Sequence, residues 1–164
     1  MSNEGSTPVH SLPHRGYFAV GAEKISKSMN LGSIMRSAHA FGASFTFTIG
    51  AQYNALEARA DTSKGQWHLP HYNWSGLDEI ALPGGCALVG VELTPDAVDL
   101  PRFRHPYRAA YVLGPEKGSL SPELLSRCSH VVRIPTRFCV NVAIAAAVVM
   151  YDRVQSQRSE PRLP

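Results

Sequence analysis

Asn141 stands where a strand-like run gives way, through a short loop, to a helix built almost wholly of alanine and valine, in "IPTRFCVNVAIAAAVVMYDR". Asparagine is among the best helix N-caps, because its side-chain oxygen accepts from the free N–H groups of the first turn. The helix behind it is too apolar for a surface, and an amide at the mouth of a buried helix also suits a polar ligand. Both readings stand on the residues alone. A second polar loop, "LGPEKGSLSPELL", sets Glu116 among Gly114, Pro115 and Gly118, with Ser121 and Pro122 opening a helix. Glycines let a backbone turn tightly and approach a ligand, and a helix start offers free N–H groups. The spacing is neither a G-x-G-x-x-G dinucleotide fingerprint nor a Walker loop. On spacing alone Glu116 reads as a solvated turn residue.

A third group lies in "NLGSIMRSAHAFG". Asn30 fits a helix N-cap, and Arg36 falls about 140° around the helix from Leu31, off the apolar stripe. On the residues alone its guanidinium reads as a charge on a solvated face. His39 reads as a surface neighbour. Trp67, His68, His71, Tyr72 and Trp74 gather aromatic rings that either stack on bases or form a small satellite core.

Elements must hold these loops in place. "YFAVGAE" (Tyr17 to Glu23) reads as a first strand, and Leu31, Ile34, Ala38 and Phe41 follow helical spacing up to Gly42, a C-cap. In "SFTFTIG", Phe45, Phe47 and Ile49 alternate with Thr46 and Thr48, the pattern of a strand. From Ala51 to about Asn73 the chain reads as a long irregular loop, of a length that is often functional. The runs "CALVGVEL", "AAYVLG" and "HVVRIP" lack strict alternation, as expected of strands covered on both faces. Strands alternating with helical stretches predict an α/β domain with a mostly parallel sheet and helices on both faces. In such sheets ligands bind beyond the carboxyl ends of the strands, where "VELTPDA", "LGPEKGSLS" and "IPTRFCVN" emerge.

The 164 residues are those of one domain, expected over 17–154, with a flexible leader at 1–16 and a frayed tail at 155–164. No apolar run reaches the roughly 18 residues of a membrane span, and the first residues lack the apolar core of a signal peptide. The expectation is a cytoplasmic protein with no membrane partner. Cys86, Cys128 and Cys139 fit no metal spacing and read as reduced thiols. A net charge of +3 is compatible with a polyanionic partner.

Taken in order and at these distances, "NLGSIMRSAHAFG", "GPEKGSLSPELL" and "IPTRFCVNVAIAAAVVMYD" resemble the three signature motifs of the SPOUT methyltransferases, in the SpoU/TrmH branch that methylates ribose 2′-oxygens of RNA. The resemblance runs from about Tyr17 to Arg153 and includes "VELTPDAVDL". It implies a C-terminal trefoil knot, a rare exception to unknotted folds. It also implies S-adenosyl-L-methionine as cofactor without a metal, RNA as substrate with tRNA favoured over rRNA, and a homodimer whose subunits complete each other's sites. Carried onto this chain, Val91, Gly114, Ile134, Cys139, Val140 and Asn141 line the cofactor pocket, largely through backbone groups. Asn30, Arg36, Glu116 and Asn141 are the polar residues around the reacting ribose. Two positions depart from the pattern: Cys139 replaces a common serine, and Ser119 stands where glycine is usual. Serine there predicts strain if the loop needs positive φ. A dimeric RNA-binding relative without turnover is the alternative from another functional class.

Overall fold

The computed structural model describes residues 16–52 and 69–159. In chain order its elements are β1 (Tyr17–Glu23), α1 (Ser28–Phe41), β2 (Phe45–Ile49), β3 (His71–Trp74), β4 (Ala87–Val91), β5 (Val98–Asp99), β6 (Arg108–Leu113), α2 (Pro122–Arg127), β7 (His130–Arg133) and α3 (Val142–Ser159). The strands make one sheet in the order β3-β2-β1-β6-β4-β7-β5, and every pairing is parallel.

β1 and β6 lie at the middle, and their composition suits a strand covered twice. Phe18, Val20, Ala22, Ala109, Tyr111 and Leu113 turn to one face, where α1 and α3 cover them with Leu31, Ile34, Ala146 and Met150. Ala19, Ala110 and Val112 turn to the other, against Phe47, Leu120 and Leu124. Helices therefore pack on both faces, as the runs of uninterrupted apolar residues predict.

α3 is held at both ends. Asn141 caps its start, and near its end the fully buried Arg153 donates to the carbonyls of Pro106, Tyr107 and Tyr17 at 2.8, 3.1 and 3.2 Å. It also donates to the Tyr111 hydroxyl at 3.0 Å. These acceptors, grouped about β1 and β6, take up both Nη groups of a charge that would be costly to bury alone, and leave its buried Nε without a partner among the described residues.

Three expectations need correction, and one strand went unread. The stretch from Ala51 to Asn73 is not irregular to its end, because β3 begins at His71. Its polar sequence hides a strand whose side chains serve β2: the Thr46 hydroxyl meets His71 Nδ1 at 2.8 Å, and Thr48 donates to Asn73 at 2.8 Å. Trp74 packs on Phe47 with ring centroids 5.1 Å apart and joins the core on that face of the sheet, while Tyr72 meets Phe45 edge-on and stays exposed; Trp67 and His68 lie outside the described residues. β5 was too short to read. Asn30 is not an N-cap, a place that falls to Lys27, and it sits buried in the first turn. Finally, α3 continues past Val154 through Ser159, since neither proline nor glycine interrupts those residues.

Candidate functional site

The loops leaving the carboxyl ends of β1, β4, β6 and β7 converge on a cavity of about 330 Å³. Each loop owes its path to a local cause. After β6, Gly114 packs so closely that a Cβ there would lie 3.1 Å from the Leu120 nitrogen, and Gly118 adopts φ +112°, a conformation open to glycine and strained for other residues. The chain then enters α2 through Ser121, whose hydroxyl caps the Leu124 N–H and donates to the buried Glu23. Positive φ thus falls on Gly118; among the described residues Lys24 is the one non-glycine with positive φ. The strain predicted for Ser119 does not arise.

Glu116 crosses from that loop to the start of α1. Its carboxylate accepts from the backbone N–H groups of Ser26 at 3.0 Å and Lys27 at 2.8 Å, from the Ser26 hydroxyl at 3.0 Å and from Asn30 Nδ2 at 3.2 Å. Lys27 has no side-chain cap, so a residue nearly ninety positions away supplies the acceptor and the negative charge that a helix start favours. Partial burial pushes the carboxyl pKa up, but the hydrogen bonds, led by that from the Ser26 backbone, outweigh it and hold the group below its ordinary value. Glu116 is therefore an ionised brace with four donors upon it, poorly suited to take a proton.

Asn30 continues the chain of bonds, its Oδ1 accepting from Asn141 Nδ2 at 3.1 Å. Asn141 Oδ1 in turn accepts from the N–H groups of Ala143 at 2.8 Å and Ile144 at 3.3 Å. The cap reading of Asn141 holds, and the network also sets which way both amides face. Each amide nitrogen carries two hydrogens, so beyond the bond it gives within the chain each can offer one more N–H. What Asn30 and Asn141 present to a ligand is thus a donor, able to stabilise negative charge on an oxygen.

Of the residues that the resemblance assigns to the cofactor and the ribose, the structure brings all but one together. Asn30, Glu116 and Asn141 border the cavity, as do Val91, Gly114, Ile134, Cys139 and Val140. Cys139 is exposed, in a loop where the Thr136 hydroxyl donates to the Phe138 carbonyl at 2.8 Å. Arg36 is the exception. It is exposed on α1 and does not line the cavity of its own chain. Sequence reading missed Glu92, which follows β4, borders the cavity and accepts from the Leu93 and Leu120 N–H groups at 2.9 and 2.8 Å. Its partner at Leu120 is 28 residues away, and no local spacing marks such a contact. Among the described residues no cluster of His, Cys, Asp or Glu is grouped to hold a metal, and no helix is long and apolar enough to cross a membrane.

The SpoU rRNA Methylase family matches over residues 17–151. The mouse tRNA (guanosine(18)-2′-O)-methyltransferase TARBP1 is 24% identical over 152 residues, covering 84% of this chain and 9% of that protein. Among solved structures, the SpoU methyltransferase AviRb from Streptomyces viridochromogenes in complex with AdoMet superposes with a TM-score of 0.75 at 23% identity, over 90% of this chain and 60% of that one. A chain solved for insight into the 2-OH methylation of C/U34 on tRNA gives a TM-score of 0.74 at 20% identity, over 89% and 99%. The chain thus spans a small part of the mouse relative and about three fifths of AviRb.

Proposed function

From the premise that the chain belongs to the SpoU rRNA methylase family, we propose that it transfers a methyl group from S-adenosyl-L-methionine to a ribose 2′-oxygen of RNA, with tRNA as its substrate. The observation that carries this reading is the bonded series Glu116, Asn30, Asn141, which borders a cavity at the carboxyl ends of four parallel strands. The cavity suits the cofactor: Val91, Leu113 and Ile134 offer apolar walls for a base, and Gly114 leaves bare backbone beside them. When bound, the cofactor supplies a methyl group on a positively charged sulfur.

The chain's own residues then have separable tasks. A ribose hydroxyl is a weak acid that must lose its proton as the O–C bond forms and the C–S bond breaks. Glu116 does not take that proton, since four donors already occupy it, and the proton passes to water. Asn30 and Asn141 each turn an N–H toward the developing oxyanion, fixed before the substrate arrives, so that little reorganisation is needed at the moment of reaction. Positioning contributes as much as any single base.

Arg36 completes the site from a second subunit. Its exposure in its own chain supports this, as does the surface around it. Met29 on α1 and Ile144, Val148 and Tyr151 on α3 are apolar yet exposed, with Met29 at 73% and Ile144 at 57%. An apolar face of this kind on two packed helices is what a homodimer would cover. The trefoil threading implied by the resemblance belongs to the same reading, supported by the likeness of the fold to SpoU structures.

Nucleoside mass spectrometry of tRNA and rRNA from a strain lacking the protein tests the reading. One 2′-O-methylated nucleoside should vanish from tRNA. Its loss from rRNA alone would overturn the choice of substrate, and unchanged profiles in both would overturn the activity.

A further inference from the structure

The cavity holds a second carboxylate that the three motifs do not include, and its bonding differs from that of Glu116. We propose that Glu92 is a specificity residue that grips the vicinal ribose diol of the bound cofactor; this rests on the cavity being the cofactor site.

Glu92 leaves the carboxyl end of β4 and is only partly buried. Its Oε1 accepts from the Leu93 N–H at 2.9 Å, and its Oε2 accepts from the Leu120 N–H at 2.8 Å. A carboxylate has about four lone-pair sites. One neutral donor on each oxygen therefore leaves a free acceptor position on each. The two backbone bonds come from different loops, one after β4 and one from the end of the 114–120 loop, so the plane of the carboxylate is set by the fold before any ligand enters. Glycine at 114 keeps the space beside it clear: a Cβ there would stand 3.7 Å from Glu92 Oε2. Glu116, by contrast, has its acceptor sites taken by the start of α1.

A fixed pair of acceptors calls for a pair of donors on adjacent atoms. A ribose with both hydroxyls free is such a pair, and the acid-to-ribose contact recurs in nucleotide sites of other α/β folds. An internal RNA nucleotide has its 3′-oxygen in a phosphodiester and offers only one hydroxyl, so the diol belongs to the cofactor and not to the substrate. A sulfonium carries no hydrogen to donate. Val91, Leu113 and Ile134 beside Glu92 give the attached base an apolar wall.

The test is calorimetric titration of the intact protein and two variants with S-adenosylhomocysteine and its 2′-deoxy and 3′-deoxy analogues. The unmodified protein should bind the parent compound about tenfold or more tighter than either analogue, the scale of one lost hydrogen bond to a charged group. Glu92→Ala should weaken the parent by a similar factor and bring the three ligands to nearly equal affinity. Glu92→Gln retains an acceptor for the Leu120 N–H and should lower the discrimination several-fold, which carries the test if the alanine variant fails to fold. Equal weakening of all three ligands, with discrimination preserved, would reduce Glu92 to a brace between loops and overturn the proposal. Absence of any S-adenosylhomocysteine binding by the unmodified protein would instead overturn the assignment of the cavity, and the proposal with it.

Discussion

Glu116 shows how far a side chain's role can lie from its sequence neighbourhood. Read in its loop, it is a solvated turn residue; in the fold it ties the end of β6 to the start of α1 through Ser26, Lys27 and Asn30. The same distance explains why Asn30 was legible only as a cap, while Asn141, whose bonds to Ala143 and Ile144 are local, was legible from its place before the helix. The bonds to Glu116 favour its charged form, so its pKa in the fold lies below that of the unfolded chain. Such a group contributes stability above its unfolded pKa and loses it as pH falls through the folded one. Glu116→Gln should therefore cost about 1 kcal/mol near pH 7, below the usual range for bonds to a charge because the site faces solvent. Urea unfolding should show that difference shrinking as the pH drops below the ordinary carboxylate range. A difference that stays constant with pH would mean that the charge is not what holds the two loops together.

At the scale of elements, the mostly parallel sheet was readable because β1, β4, β6 and β7 are short apolar runs without strict alternation, which leave a plain signal, whereas their order across the sheet was not read. β3 was not, since its contribution is polar: His71 and Asn73 satisfy threonines that β2 buries, and only Trp74 of the four is buried. The loop after β6 was read correctly as glycine-dependent but with the wrong position under strain. Gly118 carries the positive φ, and Gly114 carries the close approach, with Leu120 nitrogen at 3.1 Å and the Ser119 carbonyl carbon at 3.3 Å from a built Cβ. Gly114→Ala must push backbone and not a flexible side-chain tip. It should leave the thermal transition within a few degrees while weakening S-adenosylhomocysteine binding about tenfold or more, because the displaced loop forms the cavity wall. Calorimetry that found unchanged affinity would show that this loop is not part of the cofactor site.

The whole molecule raises the matter of Arg36, which neither spacing nor one subunit explains. It lies outside the cavity of its own chain, on a helix pair that exposes Met29, Ile144, Val148 and Tyr151. If it served only its own solvated surface, Arg36→Ala would be almost silent, because exposed charges contribute little. On the present account the change leaves folding and cofactor binding intact and lowers methyl transfer about 10²-fold or more, the scale for losing a preorganised contact to developing charge. The most direct measurement mixes Arg36→Ala subunits with Asn141→Ala subunits, each expected to be strongly impaired alone, and follows methyl transfer to RNA after exchange into mixed dimers. With Asn141 acting in its own chain and Arg36 acting across the interface, every mixed dimer holds one intact site and one doubly defective site. Random mixing should then restore about a quarter of the unmodified activity, since about half the dimers are mixed. No recovery in dimers shown to have exchanged, or a protein that light scattering finds monomeric at micromolar concentration, would contradict a site shared between two subunits.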